Sequence, residues 1–272
     1  MSGSEQKGNK MLAFSAKTRD DWKIEQHRGY LGVVLFRKKE GFQGLCSGSV
    51  VNLVQSKHFP SRKERKEVKC LLTSGDVFLD EDSIRIDSYV FEYWNLDFKS
   101  GQRLELSDVA KSTGFLQPTP GLALIPVLSK KVSSLLSRFN LKSSVFDDRR
   151  TFQTVYCYNE DGESETRNQL RCFIAGSPDS RTNSFKVESF TLISTKDEQG
   201  QLRYKLQDEH DQSIFKTYGE IRAKSLYPRG APILKFKPVG KEQVTCVGVL
   251  NFSSDDKKEI SPVFFTQETL TG

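Results

Sequence analysis

Side-chain chemistry needs nucleophiles, bases or metal ligands. This chain offers three histidines, His27, His58 and His210, and five cysteines, Cys46, Cys70, Cys157, Cys172 and Cys246. The cysteines are odd in number and lack CxxC spacing, which suits reduced thiols and indicates no zinc site. Cys157 and Cys172 could face each other across a hairpin or remain two half-buried free thiols. His210 lies within 208–211 (DEHD), which is either a carboxylate–imidazole metal cluster or a solvated acidic loop; the loop is the simpler reading, and no metal or cofactor is assigned. Residues 57–69 form a basic segment in which Lys57, Arg62, Lys63, Arg65, Lys66 and Lys69 outnumber Glu64 and Glu67. It is a candidate anion- or nucleic-acid-binding loop. The interleaved glutamates and the lack of an aromatic stacking platform also fit a plain solvated loop between two strands.

The elements that would position these residues are short strands. Runs rich in Val, Ile, Phe and Tyr recur at 30–36, 48–54, 69–72, 89–94 and 122–126, and again at 152–158, 170–175, 185–194, 232–236 and 245–252. Short strands separated by turn residues predict an all-β barrel or sandwich. Between the two sets, Val132, Leu135, Leu136 and Phe139 fall at helical spacing, so residues 129–140 are expected to be a short linking helix. Polar, turn-forming loops are expected at 55–68, 159–168, 176–183 and 197–200. The resulting organisation is a tail at 1–22, a first lobe at 23–128, and a linker helix with a second lobe at 129–272. No fixed-period repeat is evident, although two β halves of similar size suggest a duplicated lobe.

At 272 residues the chain is long enough to bury a substantial core, and with 36% hydrophobic and 28% charged residues its composition is that of a globular protein rather than a disordered one. The net charge of +6 is modest and both signs are scattered, so charge alone does not indicate a nucleic-acid partner. The first twenty residues contain no apolar stretch of signal-peptide length, and no run is long enough to span a membrane. A cytoplasmic or nuclear setting without a membrane partner is expected.

Several segments, in order, resemble the signature regions of chymotrypsin-like serine proteases across roughly residues 29–254. Residues 45–51 (LCSGSVV) resemble the family's Cys-Gly-Gly-Ser strand, and 72–78 (LTSGDVF) resemble Leu-Thr-Ala-Ala-His-Cys-Val, with Asp76 in the place of the histidine base. Residues 121–125 (GLALI) are similar to Asp-Ile-Ala-Leu-Leu, with Gly121 in the place of the orienting aspartate. Residues 227–234 (YPRGAPIL) resemble Gly-Asp-Ser-Gly-Gly-Pro-Leu-Val, with Arg229 in the nucleophile's place, and 246–249 (CVGV) resemble the strand that follows. The resemblance implies a chymotrypsin-like double six-stranded β-barrel.

The substitutions remove the chemistry. Acyl transfer requires a hydroxyl or thiol nucleophile, a base near neutral pKa and a carboxylate fixing that base's tautomer. Aspartate is too weak a base, and arginine is no nucleophile. In the family the oxyanion hole uses backbone N–H groups at the positions of Tyr227 and Arg229. Tyr227 replaces a glycine there and is restricted further by Pro228. The nearest upstream serine is Ser225, four residues away, and no histidine lies in the base segment. The cleft position that sets side-chain preference maps to Ala223, flanked by Lys224. The expectation is an inactive protease homologue acting as a protein- or peptide-binding module. The alternatives are anion or nucleic-acid binding through 57–69, or a hydrolase using unfamiliar residues. If the family geometry holds, Asp76 and Arg229 approach each other, either as an ion pair plugging the cleft or as two solvent-facing side chains.

Overall fold

The structure, a computed structural model, describes residues 31–54, 67–78, 89–95, 100–106, 116–119, 121–126, 139–140, 170–179, 184–208, 212–236, 244–253 and 258–264. They are mostly β, arranged as two curled antiparallel sheets that form half-barrels and together resemble a double β-barrel. The first lobe contains β1 (Leu31–Lys38), β2 (Gly41–Val54), β3 (Glu67–Thr73), β4 (Tyr89–Asn95), β5 (Ser100–Glu105), β6 (Leu116–Thr119) and β7 (Leu122–Pro126). A two-residue strand, β8 (Phe139–Asn140), follows. The second lobe contains β9 (Leu170–Asp179), β10 (Ser184–Lys196), β11 (Leu202–Asp208), β12 (Ile214–Phe215), the helix α1 (Tyr218–Ala223), β13 (Pro232–Phe236), β14 (Val244–Val249) and β15 (Val263–Phe264).

The two lobes repeat one pairing scheme. β1 pairs with β2 and β4, β2 with β3, and β4 with β5. Likewise β9 pairs with β10 and β13, β10 with β11, and β13 with β14. Setting aside the two-residue β12, the first strand of each lobe sits between the second and the fourth. The pairing thus gives topological content to the suspected duplication. β8 pairs in parallel with both β2 and β14 and so joins the two sheets.

Several strands are apolar on successive residues because both their faces are buried. Val33, Leu72, Leu122 and Leu124 pack into a core between the lobes together with Phe173, Ala175, Leu234 and Val249. Their chain neighbours Val34, Leu71, Ala123 and Ile125 turn into the first lobe with Phe91. Cys172, Ile174, Ile233 and Val247 turn into the second lobe with Phe190. The period-2 alternation that would expose every second residue in a one-sided sheet here separates two cores.

Two expectations need correction. Phe139 and Asn140 extend as β8 rather than closing a helix, because bridging two strands satisfies their backbone groups; residues 129–138 lie outside the described residues. The loop expected from 176 is strand as far as Asp179, since β9 continues its pairing with β10 through Pro178 and Asp179. The turn at 197–200 forms as expected: Asp197 accepts N–H bonds from Gln199 and Gln201, and Gly200 takes a φ of 77°. The strand expected at 152–158 and the loop at 159–168 lie outside the described residues. No helix among the described residues is long and apolar enough to cross a membrane.

Candidate functional site

The segments that carry the protease resemblance meet at the seam between the lobes. Ser47, on β2, is the fastener. Its N–H is shared between Arg229 O at 2.8 Å and Tyr227 O at 3.1 Å. Its hydroxyl donates to Tyr227 O at 2.6 Å and accepts from the Ala175 N–H at 2.9 Å. Thr73, at the end of β3, donates its hydroxyl to Ser47 O at 2.7 Å, which leaves the Cys46 thiol to donate to Thr73 Oγ1 at 3.1 Å. One serine thereby ties residues of both lobes into a buried network.

Gly230 makes this convergence possible. Its φ is +72°, and a Cβ there would fall 2.5 Å from Ser47 O, 2.6 Å from Ser74 N and 2.7 Å from Thr73 Oγ1. Two of those three atoms are backbone, so only glycine fits. The Gly230 N–H donates to Leu250 O, and the Leu250 N–H returns a bond to Ala231 O, both at 2.8 Å. The next residue, Asn251, lies over Gly121, whose φ is +81° and whose missing Cβ leaves room for the Asn251 side-chain amide. The position matching the family's aspartate is therefore filled from the other lobe by an asparagine.

Asp76 is exposed at the start of the 3₁₀ turn Gly75–Phe78. The Arg229 side chain is half-buried, with its guanidinium 5.1 Å from the centre of the Tyr218 ring. Both charges act on Cys46. Burial is the dominant influence and pushes that thiol up to about 12; Arg229 lowers its pKa and Asp76 raises it. Yet among the described residues no ion pair joins Asp76 to Arg229. The plugged-cleft arrangement is not formed, because Arg229 turns onto an aromatic face while Asp76 stays in water. The Tyr227 N–H, at an oxyanion-hole position of the resemblance, donates to Ala175 O at 2.7 Å and is consumed by the fold. The Tyr227 ring takes the Arg222 guanidinium at 4.6 Å, and its hydroxyl lies 3.2 Å from Ser177 Oγ.

Ala223 is exposed at the end of α1, whose start is fixed by a capping box between Thr217 and Glu220. Lys224 is not a free cleft residue. It pairs with Asp208 and, at 3.2 Å, with Glu188, and its ammonium lies 5.3 Å from the Phe215 ring and 5.7 Å from the Phe190 ring. Burial, the largest single influence, pulls its pKa down, but the hydrogen bonds to the two carboxylates outweigh it and the pKa is raised. Asp208 is correspondingly buried and paired rather than part of a solvated acidic loop. Sequence reasoning missed this cluster because its members lie on three elements; the only signal was an acidic residue at the end of a strand. Cys46, Cys70, Cys172 and Cys246 are free, buried thiols, so the paired alternative for Cys172 does not hold, and Cys157 lies outside the described residues.

Lys57, Arg62, Lys63, Arg65 and Lys66 lie outside the described residues, as do His27, His58 and His210, while Lys69 belongs to β3. No group of His, Cys, Asp and Glu among the described residues could hold a metal ion. No protein-family model matches this chain, and no curated protein matches it either.

Proposed function

We propose that this chain is a non-catalytic homologue of the chymotrypsin-like serine proteases that binds a protein or peptide partner along the seam between its lobes. What carries the reading is the convergence at Ser47: segments distant in sequence, recognised only by their order, lie against one another around Gly230. The residues at the reaction positions cannot run acyl transfer. Asp76 is an exposed carboxylate, Gly121 has no side chain, Arg229 is a cation, and the Tyr227 N–H is already bonded within the protein. A rigid scaffold of this kind can still present its former cleft to a partner.

The test is affinity capture from native extract with the wild-type protein and with the double variant Asp76→Ala, Arg229→Ala, after matching both by circular dichroism and thermal melting. A partner retained by the wild type and lost by the variant is expected. Identical partners for both proteins would move the binding surface away from the seam.

A further inference from the structure

We draw no further inference here: the strongest candidate, the surface patch where the Arg103 guanidinium lies 4.3 Å from the centre of the exposed Phe42 ring on β2, carries nothing because nothing in the structure shows what covers it.

Discussion

Lys224 and Arg229 lie five residues apart on one segment, and the protein treats them in opposite ways. Each carries a partly buried cation against aromatic rings. Lys224 is held by Asp208, whose side chain is only 6% exposed, and by Glu188. Arg229 has no carboxylate among the described residues, and its Nε has no partner. A buried charge with matched counter-charges is a structural joint; one without them is either a cost or a place kept for a ligand. The difference separates the part of the segment that holds the second lobe together from the part that enters the seam between the lobes.

The comparison can be broken most severely at Gly230, which carries Arg229 into the seam. Gly230→Ala places a Cβ against Ser47 O and Ser74 N in a left-handed backbone conformation, neither of which can move aside. A loss of about 3 kcal/mol or more is expected in denaturant unfolding, and a loss under 1 kcal/mol would show that the seam is looser than described.

Lys224→Met comes next. It removes the ammonium that Asp208 and Glu188 share, and about 2 kcal/mol of stability should be lost. The pH dependence sharpens this. Lys224 holds its proton more tightly in the folded state than at its ordinary value of 10.5, so its contribution is complete below that pH and is lost as the pH rises through the higher folded value. Alkaline unfolding of the wild type should therefore show a component above pH 10.5 that Lys224→Met lacks; identical alkaline limbs would remove the cluster from the account.

Arg229→Gln is the contrasting case. With no ion pair to break, stability should change by less than about 1 kcal/mol in either direction, the scale of its contact with Tyr218. A loss as large as that of Lys224→Met would make the two cations alike.

The smallest effect is a control on the core between and within the lobes. Burial pushes the thiols of Cys46, Cys70 and Cys246 up to about 12 and raises that of Cys172 as well. At pH 8 in native buffer these four should resist maleimide and should react once denaturant is added. Rapid native labelling at any of them, located by peptide mapping, would contradict the described packing.

The strands that could be read from sequence are those with two buried faces, because runs such as Val33-Val34 and Leu71-Leu72 signal β structure without any partner being known. β11 escaped notice because its burial rises only gradually along the strand, and β6 because Pro118 argues against a strand in sequence. The segments at 45–51, 72–78, 121–125 and 227–234 could be picked out from the sequence, but their convergence could not. Ser47 reads as an ordinary strand serine until its hydroxyl is seen between Ala175 and Tyr227. Nor could sequence distinguish Lys224 from Arg229, since what separates them is the presence of Asp208 and Glu188 on neighbouring strands.

The central claim is that the seam binds without catalysing acyl transfer. Its most direct test is intact-mass analysis of the folded wild-type protein after prolonged exposure to an excess of fluorophosphonate, with an active serine protease as the positive control. The account predicts an unmodified mass. A stoichiometric adduct, mapped to any serine and lost on denaturation before labelling, would reveal an activated nucleophile and contradict it.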